Sequence, residues 1–231
     1  GLIDVIEKLA QAKRIIFIAC GTSYYASLVG EYMIENLAKI PVEVEYASEF
    51  RYRQAPLNEG TVVISISQSG ETADTLASVR QAKKLGAFSV AIVNVVASTL
   101  AREADVGIYN HIGKETSVAS TKAFVSQLTI LLMCTVLLAR KKHMTKEEGK
   151  NILEELLLLP EKVQSILNQS KTIGAIAKEY ANFSNFIFVG RKYNYPIACE
   201  GALKLKEISY VHAEAYPAGE LKHGPLALID K

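Results

Sequence analysis

One loop of the sequence, residues 67–72, carries side chains that could bind an anion. It holds three hydroxyl groups, one amide and one glycine within six positions: Ser67, Gln68, Ser69, Gly70 and Thr72. The loop lies between an apolar run that predicts a strand, residues 62–66, and a predicted helix that begins near Ala73. The first N–H groups of a helix have no backbone partner and carry partial positive charge. Because such a helix start binds phosphate readily, this segment, the phosphate loop, predicts a phosphate site.

The phosphate loop also has a simpler interpretation. Ser and Thr are common N-cap residues, each worth about 1 kcal/mol, and glycine is common in turns. A cap needs one or two such residues, whereas this loop has three hydroxyl groups together with Gln68 and Gly70. We therefore favour phosphate binding and keep helix capping as the alternative.

A group of charged residues on one predicted helix is the second candidate for chemistry. Glu200, Lys204 and Glu207 are spaced i, i+4 and i+7, which places them on one helix face. A carboxylate beside a lysine can act as a general base, with a pKa set by burial and by the lysine charge. The alternative is a solvated row of ion pairs, each worth about 0.2–0.5 kcal/mol. The residues alone leave both interpretations open.

His223 is a candidate proton carrier because it lies in a loop bounded by glycine and proline, residues 219–225. The other histidines are interpreted as structural or surface residues: His111, His143 and His212. No histidine pair has metal-ligand spacing, and the three cysteines form no CxxC pair. We therefore expect no metal and no cofactor, and buried thiols in a reducing compartment.

The elements that must position these residues alternate between strands and helices. Apolar runs predict strands at residues 14–19, 41–46, 62–66, 89–95 and 106–109, with helices between them. This alternation favours an α/β fold with a parallel sheet covered on both faces. Two small polar loops, residues 20–23 and 67–72, directly follow strands. A third, residues 113–122, precedes a long apolar helix. We expect these loops to meet at the carboxyl edge of the sheet.

The sequence further predicts two related units. Residues 186–190 repeat the apolar pattern of residues 16–21 at an offset of about 170, after a polar break at residues 141–150. We place the first domain at residues 1–143 and the second at residues 144–231. A helix interrupted at Pro160 is predicted from 151 to 167. The second copy stops before the counterpart of the strand that precedes the phosphate loop, so we expect a fragment of a longer protein.

Composition limits the possible partners. The chain has 231 residues, of which 22% are charged, and a net charge of +2, which does not favour nucleic-acid binding. The longest apolar segment, residues 123–139, is short for a membrane span and contains polar residues, so we expect a buried helix and no membrane.

Several segments together resemble the isomerase half of the glutamine–fructose-6-phosphate aminotransferases, also called glucosamine-6-phosphate synthases. The segments are CGTS at 20–23, SEFRYR at 48–53, SISQSGETADT at 65–75, VASTKAF at 118–124, and residues 200–225. SQSGET marks the wider class of sugar isomerase (SIS) domains, whereas ALKLKEISY and AEAYPAGELKHGP point to these aminotransferases. The resemblance implies tandem SIS domains, each a flavodoxin-like three-layer α/β/α unit, with the second copy incomplete.

The resemblance also implies roles for individual residues. The 6-phosphate of fructose 6-phosphate or glucosamine 6-phosphate is held by Ser67, Gln68, Ser69 and Thr72. The sugar is lined by Thr22, Ser23, Val118 and Ser120. Glu207 is the base that moves a proton between C1 and C2, and Lys204 assists it. His223, contributed by the neighbouring subunit, helps to open the sugar ring, so a homodimer is implied.

The chain also departs from this family. The glutaminase domain of the parent chain, with its amino-terminal cysteine nucleophile, is absent, as is the carboxy-terminal tail with the Schiff-base lysine. Ser117 stands where the family usually has glycine. We therefore expect a cytoplasmic chain that binds sugar phosphate with little or no turnover. The alternatives are a non-catalytic SIS sugar-phosphate sensor, which would not need Glu207, Lys204 and His223 together, and a related sugar-phosphate deaminase.

Overall fold

The computed structural model describes residues 2–229 and contains a five-stranded parallel sheet in the order β2-β1-β3-β4-β5. Its strands are β1 (Arg14–Ala19), β2 (Val42–Tyr46), β3 (Thr61–Ser67), β4 (Phe88–Val93) and β5 (Val106–Tyr109). The helices of this part are α1 (Leu2–Ala10), α2 (Gly21–Ala38), α3 (Ala47–Phe50), α4 (Ala73–Lys84), α5 (Thr99–Glu103) and α6 (Lys122–Lys142). The α/β fold predicted from the sequence is confirmed.

Strands β1 and β3 form the centre of the sheet. Every residue of β3 is buried, as is every residue of β1 after Arg14. One face of β1 packs with α1, α2 and α6, and the other packs with α3 and α4. This two-sided burial explains the continuous apolar runs in the sequence. The strands pair in parallel from Arg14↔Thr61 to Ala19↔Ile66, so both end at one edge of the sheet.

Helix α6 packs along α2 and is the longest helix of the described residues. Its mean hydropathy of 1.8 and its 21 residues would allow it to cross a membrane by length and composition alone. However, its side chains Ala123, Leu131 and Leu138 lie in the core of the α/β unit. The contacts with α2 therefore match the buried helix that the sequence predicts.

The segment after α6 is more helical than the sequence analysis predicts. Helix α7 (Lys146–Leu157) begins inside the expected polar break, because Thr145 and Glu148 form a capping box. The helix predicted from 151 to 167 is divided, since α8 (Leu159–Leu167) starts anew with Pro160 in its first turn. Helix α9 (Ser170–Glu179) follows. The predicted polar break and the predicted start of this helix at 151 are therefore wrong, whereas its interruption near Pro160 and its end at Leu167 are confirmed.

The last part of the chain contains a second, two-stranded parallel sheet. Strand β6 (Asn185–Gly190), helix α10 (Asn194–Ser209) and strand β7 (His212–Pro217) follow one another in the same order as β1, α2 and β2. Two 3-10 turns, Glu220–Lys222 and Pro225–Leu228, come after β7. Helix α10 packs against α2. This pattern agrees with the repeat in the sequence, and the division into two SIS domains stays a prediction.

Candidate functional site

A cavity of about 270 Å³ lies where β1 and β3 end. Chain connections leave β1 toward opposite sides of the sheet, because β2 is its neighbour on one side and β3 on the other. Open α/β sheets bind ligands at such a switch point. The lining residues are Cys20, Thr22, Ser23, Ile66, Ser67, Gln68, Ser69, Thr72, Thr75 and Ser120. The structure thus brings together every predicted phosphate residue and three of the four predicted sugar residues.

The hydroxyl groups of the phosphate loop mainly hold the loop itself. Ser67 Oγ lies 3.0 Å from Thr72 Oγ1 and accepts a hydrogen bond from the Gly70 N–H at 3.0 Å. Ser69 Oγ accepts from the Glu71 N–H at 3.1 Å. Thr72 occupies the N-cap position of α4, yet its side chain makes no capping hydrogen bond. Helix capping therefore does not fix the position of the Thr72 side chain.

The phosphate loop is also hydrogen-bonded to the start of α5. Gly70 O accepts from the Leu100 N–H at 3.0 Å, and Glu71 Oε1 accepts from the Thr99 N–H at 2.8 Å. The hydrogen bond from Thr99 holds the pKa of the Glu71 carboxyl below its ordinary value. Gly70 has φ of 67°, and a Cβ there would lie 2.2 Å from Ser98 Oγ. Position 70 therefore requires glycine both for backbone conformation and for space.

Two polar atoms of the cavity lining have no protein partner. Gln68 Oε1 and Thr75 Oγ1 are both buried and form no hydrogen bond within the described residues. Buried polar groups are nearly always hydrogen-bonded, so unpaired ones call for an explanation. A ligand rich in hydroxyl groups, seated in this cavity, would supply the missing partners.

The three charged side chains of α10 form a connected cluster, which we call the charged cluster (Glu200, Lys204 and Glu207). Lys204 Nζ lies 2.5 Å from Glu207 Oε2 and 3.5 Å from Glu200 Oε1. It also donates to Thr22 Oγ1 at 3.2 Å, and Thr22 Oγ1 donates to Glu200 Oε1 at 3.0 Å. Because Thr22 lines the cavity, the charged cluster is connected to the cavity through Thr22. The alternative of a solvated row of ion pairs is wrong for Glu200 and Lys204, whose side chains are only 8% and 18% exposed.

Glu200 is a buried member of the charged cluster to which the sequence analysis assigns no individual role. Burial raises the pKa of its carboxyl, while the Lys204 charge and the hydrogen bond from Thr22 oppose that rise. Its second oxygen, Oε2, is buried without a partner in the described part of the chain. The i, i+4 spacing from Lys204 was the signal that could have identified it.

Four predicted site residues do not line the cavity: Lys204 and Glu207 of the charged cluster, Val118 and His223. Val118 is fully exposed. His223 is exposed in the turn that follows Glu220–Lys222. Their functional roles stay predictions.

The potential metal ligands and the cysteines of the chain limit its metal and thiol chemistry. Among residues 2–229, no group of three or more His, Cys, Asp or Glu side chains could hold a metal ion. The cysteines Cys20, Cys134 and Cys199 are free thiols. Burial raises the pKa of Cys134 to about 11, so this thiol stays protonated at neutral pH.

Comparison with known proteins gives a consistent result. A sequence model described as the SIS domain matches residues 8–137 and 179–231. The glutamine–fructose-6-phosphate aminotransferase (isomerizing) of Chlorobaculum tepidum is 54% identical over 231 residues, which are 100% of this chain and 38% of that protein. The chain therefore spans little more than a third of the length of this relative.

Solved structures show the same likeness. The C-terminal domain of glucosamine-fructose-6-phosphate aminotransferase from Francisella tularensis superimposes with a TM-score of 0.96 at 47% identity, covering 100% of this chain and 66% of that one. A glucosamine-6-phosphate deaminase from Thermotoga maritima has a TM-score of 0.72 at 25% identity, with 100% and 72% covered.

Proposed function

The chain belongs to the SIS domain family, and on that basis we propose that it forms the isomerase portion of a glutamine–fructose-6-phosphate aminotransferase. Its ligand is fructose 6-phosphate or glucosamine 6-phosphate. In the intact parent enzyme, a glutaminase domain supplies ammonia from glutamine, and the ketose is aminated and isomerised to the aldose. The parent enzyme acts in the cytoplasm.

One observation carries this proposal: the phosphate loop lines the cavity, and Thr22, in the same lining, contacts the charged cluster. Ser69 and Thr72 lie in the lining that the phosphate loop contributes, and Thr22 lies in the part contributed by α2. Thr22 contacts Lys204, which contacts Glu207. A ligand anchored by its phosphate would thus extend from the loop toward a carboxylate and an ammonium group. A sugar phosphate has the matching chemistry, with a phosphate at C6 and exchangeable protons near C1 and C2.

The proposed mechanism uses Glu207 as a base. In the fructose imine, Glu207 removes a proton from C1 while the imine nitrogen gains one, which gives an enolamine; Glu207 then returns the proton to C2 while the C1 hydroxyl loses its proton, which yields the 2-amino aldose. Lys204 Nζ lies 2.5 Å from Glu207 Oε2, which holds the Glu207 side chain in place, and Lys204 assists the proton transfer.

The remaining proposed roles involve a second subunit. His223 opens the sugar ring in the neighbouring subunit of a homodimer, which agrees with its exposed position outside this chain's own cavity. Val118, which is fully exposed, lines the sugar, so we expect it to become covered when ligand binds.

The experiment that tests this function is a thermal shift assay with four ligands. Fructose 6-phosphate and glucosamine 6-phosphate should stabilise the chain, whereas fructose and glucosamine should not. A ligand at a hundred times its Kd adds about 2.7 kcal/mol, which corresponds to a midpoint shift of about 5–11 °C for a chain of this size. Ser69→Ala should lose most of this shift. Ser165→Ala is the matched control, because Ser165 lies on exposed α8 and its hydroxyl, within the described residues, bonds only Lys162 O.

Two results would contradict the proposal. One is the absence of a shift at millimolar sugar phosphate. The other is an equal shift with phosphorylated and unphosphorylated sugars, since the phosphate loop would then contribute nothing to recognition.

A sugar-phosphate deaminase is the second candidate, and the likeness to the Thermotoga maritima structure favours it. A deaminase would release ammonia from glucosamine 6-phosphate, which a coupled assay detects. A non-catalytic sensor would bind the sugar phosphates but would neither release ammonia nor exchange the C1 proton of fructose 6-phosphate with deuterated water. The charged cluster contacts Thr22, which lines the cavity, and this contact favours the enzyme over the sensor.

A further inference from the structure

Gln127 is a buried amide on the long apolar helix α6. Its side chain is only 2% exposed. Its Nε2 donates a hydrogen bond to Ser23 Oγ at 3.0 Å, across 104 residues of sequence. Its Oε1 has no partner within the described residues. Because a buried amide is unfavourable unless it is hydrogen-bonded, the contact with Ser23 is the one that the structure offers to offset its burial.

This contact determines how Ser23 can use its hydroxyl group. A serine hydroxyl has one proton to donate and two lone pairs that accept. The amide nitrogen of Gln127 only donates, so it occupies a lone pair of Ser23 Oγ and leaves the proton unused. The other recorded bond at this residue involves its backbone, since Ser27 Oγ donates to Ser23 O at 2.8 Å. Ser23 lines the cavity, so its free proton is available to a ligand there.

We propose that Gln127 is a positioning residue that makes Ser23 a hydrogen-bond donor to an oxygen of the bound sugar phosphate. This inference rests on the proposed function. Gln127 does not line the cavity and acts only through Ser23. The arrangement favours an acceptor, such as a phosphate, hydroxyl or carbonyl oxygen, over an ammonium group at this point of the cavity.

The test is a double-mutant cycle on the Kd of fructose 6-phosphate, measured by titration calorimetry. Gln127→Met keeps the length and apolar volume of the side chain while removing its amide. It should weaken binding by about two- to tenfold, and Ser23→Ala should weaken it by at least as much. The double variant should bind no more weakly than Ser23→Ala alone, because Gln127 has no route to the ligand except Ser23.

The matched control is Thr135→Val on the same helix. Thr135 is fully buried, and its hydroxyl bonds only Leu131 O within α6. Thr135→Val should leave the Kd unchanged, whatever it does to the thermal midpoint. The midpoints of all variants are measured beside the Kd, so that a change in folding is separated from a change in binding.

The possible outcomes distinguish the two proposals. Absence of binding by the wild type would overturn the proposed function and this inference with it. Binding by the wild type with an unchanged Kd in Gln127→Met would overturn the inference alone. Additive effects of the two substitutions would also overturn it, because they would show that Gln127 acts independently of Ser23.

Discussion

Replacing Gly70 with alanine is the sharpest test of how the phosphate loop is built. The substitution forces a side chain into a backbone with φ of 67°, which costs about 1–2 kcal/mol. The new Cβ would also lie 2.2 Å from Ser98 Oγ and 2.6 Å from Ser98 Cβ. Overpacking of this kind costs about 1–3 kcal/mol. We therefore expect Gly70→Ala to lower the free energy of unfolding by about 2–5 kcal/mol.

The two contributions can be separated by a second substitution. Ser98→Gly removes the two nearest atoms that the new methyl group meets and leaves only Val93 Cγ1 at 3.3 Å, and Ser98 Oγ has no hydrogen-bond partner to lose within the described residues. The double variant should therefore recover the steric part, about 1–3 kcal/mol, and keep only the backbone part. Urea denaturation at constant slope measures each value.

Gly86→Ala provides the matched control. Gly86 has φ of 86°, and nothing lies within 4 Å of its added Cβ. It should cost only the backbone term of about 1–2 kcal/mol and should not respond to Ser98→Gly. If Gly70→Ala and Ser98→Gly were additive, the packing of this loop against Ser98 would not be the cause, and the reasoning would be refuted.

Three further predictions concern charge and helix capping. Burial raises the folded-state pKa of Glu200 above 4.5, so the stability that this carboxyl contributes is lost as pH rises through that folded pKa. Glu200→Gln should therefore lose less stability than the wild type between pH 4.5 and pH 7, measured by urea denaturation. Equal losses in the two proteins would contradict this sign. Lys204→Met removes the charge 3.5 Å from Glu200, so its destabilisation should be larger at pH 7 than at pH 4.5, with a pH-independent loss as the contrary result. Thr145→Ala breaks the capping box with Glu148 and should cost about 1 kcal/mol, or about 2–4 °C in thermal midpoint, whereas Thr145→Ser should cost less; equal midpoints for all three would show that the box does not stabilise α7.

The parts of the fold that were predictable are those in which one local pattern has one structural cause. Strands β1 and β3 are buried on both faces, so their runs are almost continuously apolar; Ser65, inside β3, donates its hydroxyl proton to Val90 O. The phosphate loop was predictable because its hydroxyl groups follow such a strand directly. The start of α7 was missed although Thr145 and Glu148 show the capping-box spacing, since the many charged residues around them suggested a polar break.

Features that depend on distant contacts could not be predicted. The burial of Glu200 follows from the packing of α10 on α2, and its partner Thr22 lies 178 residues away in sequence. In the sequence, Gln127 is only a polar residue in an apolar helix. Its role follows from the contact with Ser23 on another element, which the sequence does not predict. Helical spacing identifies which side chains share a face, but it does not tell which of those faces a neighbouring helix will cover.

The cavity presents only neutral side chains to the phosphate that we propose it binds. None of the described residues that line it is charged, so attraction of a phosphate depends on hydroxyl, amide and peptide dipoles. Dipolar fields fall off faster with distance than the field of a lysine or arginine, and added salt screens full charges most strongly. Such a cavity provides little long-range electrostatic attraction for an anion. It selects the anion at short range by the directions of its hydrogen bonds. Ionic strength should therefore have little influence on affinity, and anions of similar charge but different shape should be told apart.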